Sequence, residues 1–134
     1  MNMSDDLWGT IAIDTELKMP LAVLKSQATL LAQKTNGVLE AQVGSFKVTG
    51  KDTVAYSFNI VAPHLSNYTY KVLTISHPGI LLYPVRVVDL TSKMEHICKT
   101  EDEFIMVIRA ILSSDVVHKA VLALITQSKA ARSE

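Results

Sequence analysis

The residues predict an α+β fold: an N-terminal helix, a four-stranded antiparallel meander, and two C-terminal helices packed on one face of the sheet. Three observations carry it. Val54, Tyr56, Phe58 and Ile60 take every second position with Ser57 and Asn59 between them, the period of a strand with one buried face. Two more β-rich runs follow within residues 54–88 across short gaps punctuated by proline, glycine, serine and asparagine. Helical spacing lies before and after this block and not between its strands, which favours separate layers over an alternating parallel sheet.

Residues 7–13 are too short and mixed to assign beyond an arm packing on the domain, and residues 1–6 read as a loose end. The first helix opens at Met19–Pro20, because proline is tolerated in a first turn, and Leu17, Leu21, Leu24, Ala28 and Leu31 recur at helical spacing. Asn36–Gly37 closes it with a left-handed cap. Its far side, Gln27 and Lys34, is polar, so the helix should cover one sheet face.

Residues 38–48 read as the first strand, but the apolar phase changes within it. Leu39, Ala41 and Val43 share one parity, Phe46 and Val48 the other, and Gly44 stands between. Either a β-bulge at Gly44 restores a common face, or the strand ends there. Residues 49–52 turn the chain into the Val54 strand. Residues 62–67 interrupt it, and 68–75 resume as the next strand, rich in β-branched and aromatic residues. His77–Pro78–Gly79 is a turn signal, so 81–88 should return as the fourth strand, with Pro84 at an edge or on an unpaired side. Residues 90–99 lack a clean period and read as a loop with a short strand at its end.

Thr100, Glu101, Asp102 and Glu103 form a capping box that starts a second helix, nearly buried save for a polar strip around Arg109. Ser113, Ser114 and Asp115 break it and cap a third helix. There Val117, Ala120, Val121, Leu124 and Ser128 follow one face, while Leu122 and Ile125 fall outside it. Residues 129–134 should fray.

If the helices cover the face holding Tyr56, Phe58, Tyr70 and Val72, the opposite face carries Ser57, Asn59, Thr69, Lys71 and Arg86. Leu73, Ile75 and Leu82 interrupt its polarity and form the candidate exposed patch for an interface.

At 134 residues, with 13 basic and 13 acidic side chains, the chain suits one domain and has no net field to draw nucleic acid or an anionic membrane. Apolar residues make up 49 % and mean hydropathy is positive, which favours a homo-oligomer and a protein partner. No apolar run is long enough to span a bilayer, and Asp5 and Asp6 stand where a secretory leader would be basic. Cys98 is the only cysteine, which excludes an internal disulfide and fits the reducing cytoplasm. Outside a secretory route, the Asn67–Tyr68–Thr69 acceptor motif carries no glycosylation meaning.

Chemistry is harder to find. His64, His77, His96 and His118 are scattered, and His96 beside Cys98 falls short of the three or four donors a metal requires, so no metal or cofactor is expected. His64 and His77 read as surface loop residues. No phosphate-binding glycine loop or nucleophile elbow occurs. The tyrosines share the apolar parity and read as core rather than as platforms for bases. The expectation is a cytosolic interaction module without catalytic activity. The alternative is a small-molecule-binding domain or minor enzyme, with a pocket between sheet and helices whose polar points are Tyr56, Tyr70, His64 or His96. In general layout the chain resembles helix–sheet–helix proteins such as secretion chaperones and toxin-immunity proteins, although no motif places it with either group.

Overall fold

The computed structural model describes residues 6–10, 19–48 and 52–132. The arm 11–13, Leu17, the turn at 49–51 and the last two residues lie outside them. Leu7 and Trp8 are described and stand exposed rather than packed on the domain.

Helix α1 (Pro20–Lys34) begins with proline in its first turn behind an extended Met19. It ends as the Asn–Gly pair predicts, with both Asn36 and Gly37 at positive φ and the Gly37 N–H donating to Ala32 O at 2.8 Å. The Thr35 hydroxyl donates to Leu31 O at 2.9 Å and accepts the Leu39 N–H at 3.2 Å, which ties the helix end to the start of the sheet.

Among the described residues the sheet has five strands rather than the four of the expected meander: β1 (Glu40–Lys47), β2 (Thr53–Ala62), β3 (Tyr68–Pro78), β4 (Val85–Asp89) and β5 (Met94–Cys98). Each pairs antiparallel with the next in an uninterrupted meander. The fifth strand is the short one expected at the end of residues 90–99; it has no clean period because Met94, His96 and Cys98 fall on one face and Ile97 on the other. β4 begins only after Pro84 and lies inside the sheet, between β3 and β5, so proline sits before the ladder rather than at an edge. The 3₁₀ turn Pro63–Leu65, with Ser66 and Asn67 at positive φ, joins β2 to β3.

Neither reading of Gly44 holds. β1 pairs with β2 in unbroken register from Glu40 to Lys47, so the strand neither bulges nor ends there. The opposite parity simply leaves Phe46 half exposed on the far face. The irregularity lies in β3 instead: Phe58 pairs with Leu73 but Asn59 with Lys71, leaving Val72 as the extra residue of a bulge. Tyr70 before it and Ile75 after it therefore share a face despite opposite parity, and Val72 and Leu73 are both fully buried. The patch expected from Leu73 and Ile75 is thus absent, since the two are 0 % and 1 % exposed within the core, while Leu82 is half-buried in the loop before β4.

Helix α2 (Glu101–Leu112) starts at the capping box: Thr100 Oγ1 accepts the Glu103 N–H at 3.2 Å. The Glu103 carboxylate reaches one residue further back than the motif requires, to the Lys99 N–H at 2.6 Å. Helix α3 (Asp115–Arg132) follows, with Ser114 Oγ accepting the Val117 N–H at 3.3 Å. Residues Lys129 to Arg132 continue this helix instead of fraying. No described helix is long and apolar enough to cross a membrane.

All three helices cover the same sheet face. Leu24 of α1, Phe104 and Ile108 of α2, and Val117 and Leu124 of α3 join Phe58, Ile60, Ile75, Val85 and Val87 in one core cluster. Ser57, Asn59, Thr69, Lys71 and Arg86 share the opposite face, as expected, together with the buried Ala55 and Val61.

The β4–β5 connection is held by Asp89, whose carboxylate accepts from the Thr91 and Ser92 hydroxyls and from the Thr91 N–H at 2.9 Å. Burial pushes this carboxyl up, but those hydrogen bonds outweigh it and hold it below the usual carboxylate range. A lowered native value stabilises the fold fully above the unfolded value and is lost as pH falls through the native one. The stability advantage of the native chain over Asp89→Asn is therefore complete above about pH 4 and shrinks below it, readable by urea titration across pH. In the same assay Leu73→Ala costs about 2–5 kcal/mol, whereas Lys71→Ala, two residues away on the exposed face, costs no more than about 0.5 kcal/mol.

Candidate functional site

Between α1 on one side and α2 and α3 on the other, the sheet is left partly uncovered, and the opening is a groove of about 590 Å³. Phe58 and Ile60 of β2 form its floor. Val23, Leu30 and Leu31 of α1 form one wall; Ile105 and Leu112 of α2, with Val121, Leu122 and Ile125 of α3, form the other. Leu30 and Leu122 are exposed at 39 % and 64 %. The groove exists because each wall helix has apolar residues on more than one face. Leu124 serves the core and Val117 both the core and the groove, while Leu122 and Ile125, rotated off that face, line the opening.

Polar groups stand at intervals along the groove: Gln27, Lys34 and Thr35 from the α1 side, Arg109, Ser113 and His118 from the other. Among the described residues its charged lining groups, Lys34 and Arg109, are both cations, and neither aspartate nor glutamate lines it. The arrangement suits an apolar body with negative charge at its flanks.

The four polar points expected in such a pocket are elsewhere. Tyr70 lies beside Ile60 on the helix-covered face, and Tyr56 packs tilted against His77 with ring centroids 6.2 Å apart. His64 is exposed in the 3₁₀ turn, and His96 is half-buried on β5, so these residues are not brought together. His96, Cys98, Glu103 and Met106 line a second, shallower depression beside β5.

His77 is not a surface loop residue. It is 3 % exposed within β3, carried inward by the same bulge that buries Leu73. Its Nδ1 lies 2.8 Å from Pro78 O and 3.0 Å from Leu81 O. Both partners are acceptors, so Nδ1 carries the hydrogen and holds the loop after β3 in place. Nε2 is buried without a hydrogen-bond partner among the described residues.

Among the described residues, no three of histidine, cysteine, aspartate and glutamate converge as metal ligands would. The Cys98 thiol is 1 % exposed, and burial, seconded by the Glu103 carboxylate, pushes it up, so it stays protonated and a weak nucleophile. No family model, curated protein or solved structure matches this chain.

Sequence reasoning passed over Lys34, Arg109 and His118, because a cation beside an apolar stripe reads as a solvated flank. The available signal was Leu122 and Ile125: two large apolar residues off the main face of a helix call for a second surface to meet. For Cys98, the expected outcome is alkylation by iodoacetamide at pH 7.5 at least about a hundredfold slower than in the urea-unfolded chain, followed by mass spectrometry.

Proposed function

We propose that this protein is a cytoplasmic interaction module without catalytic activity, which self-associates and receives an amphipathic helix of a protein partner in the groove between α1 and α2–α3. The observation that carries the reading is the groove itself, an apolar trough over Phe58 and Ile60 whose charged lining groups are the cations Lys34 and Arg109. A helix that presents apolar residues at i, i+3, i+4 and i+7 fills such a trough, and acidic residues beside that stripe meet the cations. The lone cysteine, reduced and buried, fits a reducing compartment.

A second reading rests on the volume. About 590 Å³ is also the size of a small-molecule site, and a medium-chain carboxylate would satisfy the same apolar and cationic features without Tyr56, Tyr70, His64 or His96.

The test is an NMR titration of the labelled chain with a helical peptide carrying a leucine stripe flanked by glutamates. A twin peptide flanked by lysines, and decanoate, serve as comparisons. The acidic peptide is expected to move the amides of Val23, Leu122 and Ile125, to outbind its basic twin, and to weaken with salt. Leu122→Asp, at an exposed position, is expected to raise its dissociation constant at least about tenfold. Saturable shifts with decanoate alone would favour the small-molecule reading, and shifts confined to other surfaces would overturn both.

A further inference from the structure

We infer that the self-association proposed above, on which this inference rests, runs through the open edge of β5, paired antiparallel with β5 of a second copy about a two-fold axis at Ile97. Among the described residues β5 is the last strand of the sheet; it contains no proline, lysine or bulge, and its one charge, Glu95, is already paired with Arg86. Its outward backbone groups are identifiable. The Leu90 N–H donates to Val72 O at 2.9 Å, so Leu90 faces β3. Because direction alternates along a strand, Val88 and Arg86 also face β3, while Asp89, Val87 and Val85 face β5. Their partners Met94, His96 and Cys98 are thereby engaged with β4, and the N–H and C=O of Glu95 and Ile97 point away from the sheet.

Symmetry and charge then select the register. An isologous pair places some residue opposite itself, and with Glu95 and Ile97 as the outward groups that residue is Glu95, His96 or Ile97. Centring on His96 sets each Glu95 carboxylate against Ile97, with no cation to meet it. Centring on Glu95 sets two carboxylates against each other. Centring on Ile97 sets Glu95 opposite Lys99 of the second copy twice over, with two isoleucines meeting between them. All three side chains are exposed, Ile97 at 56 %, and the alternation puts them on one face. Glu95 Oε2 is held by Arg86 at 2.7 Å, which leaves Oε1 for the incoming ammonium. The Lys99 N–H is taken by Glu103, but its carbonyl is free to accept from Glu95 of the second copy. Two bonds at the Ile97 pair and one at each Glu95–Lys99 pair complete a ten-stranded sheet. Met106, exposed on α2 beside β5, comes near the axis on the helical side.

The test is sedimentation equilibrium of the full chain at micromolar concentration, combined with directed cross-linking. The native chain is expected to be dimeric. Lys99→Glu, which opposes two carboxylates, is expected to raise the dissociation constant at least about tenfold, and the swap Glu95→Lys with Lys99→Glu to return it to within about threefold. Oxidised Ile97→Cys is expected to give a covalent dimer, because directly opposed Cα atoms lie about 5.5 Å apart. Glu95→Cys is not, since its copies lie about 14 Å apart along the strands. A monomeric native chain overturns self-association altogether and leaves the groove reading standing. A native dimer indifferent to Lys99→Glu, or one cross-linked through Glu95→Cys and not Ile97→Cys, overturns this surface alone.

Discussion

One extra residue in β3 decides which side of this sheet is oily. Without the bulge at Val72, strict alternation would set Tyr70 and Val72 on the core side and send Leu73, Ile75 and His77 to the solvent side. The ladder loses about one hydrogen bond there, a net cost of about 0.5–1.5 kcal/mol. Burial of Leu73 and Ile75 returns about 1.5–3 kcal/mol each, so the irregular strand is the more stable one. The same phase change carries His77 inward, where its Nδ1 hydrogen holds the carbonyls of the following loop.

Once both halves of β3 face the helices, the covered face is apolar across four strands, from Val43 on β1 through Phe58 and Ile75 to Val87 on β4. Helices about 10 Å wide lie over a sheet whose strands are spaced about 4.8 Å apart, so α1 beside β1 and α2 beside β4 and β5 leave the middle to α3 alone. α3 packs chiefly on the 3₁₀ turn at one end. The groove over Phe58 and Ile60 is what three helices fail to fill. Its apolar lining and its cations come from different elements, and only packing sets them side by side.

The two surfaces proposed for partners differ in kind. The groove is a side-chain surface, shaped by Leu30, Leu122 and Ile125, and any apolar body of the right width fits it. The β5 edge is a backbone surface, where the proposed pairing would take its specificity from the charges of Glu95 and Lys99 and from the parity of outward hydrogen-bonding groups. They lie on opposite sides of α2, so one can be occupied while the other is open.

The helix boundaries were legible because their determinants are local. Pro20, the Asn36–Gly37 pair and the Thr100–Glu103 box each act within one turn of chain, and the structure ends or starts a helix at each. The α+β order and the β2 period were legible for the same reason: side-chain alternation is a property of the strand alone. The bulge was not. The shift of parity at Gly44 and the one between Tyr70 and Leu73 look alike in one dimension, and only pairing with β2 distinguishes them, since Gly44 keeps its register and Val72 loses it. β5 was legible only as a short strand at the end of residues 90–99, without bounds or a pairing partner, because five residues with apolar side chains on both faces carry no period. Of the groove, the sequence held the outlying Leu122 and Ile125 but not their cationic neighbours, because Lys34 and Arg109 lie 75 residues apart and meet the same opening only through the fold. Local steric and hydrogen-bonding preferences thus determined the elements by themselves. Which faces meet, and what they leave open, depends on contacts between distant residues, and tertiary structure alone decided that.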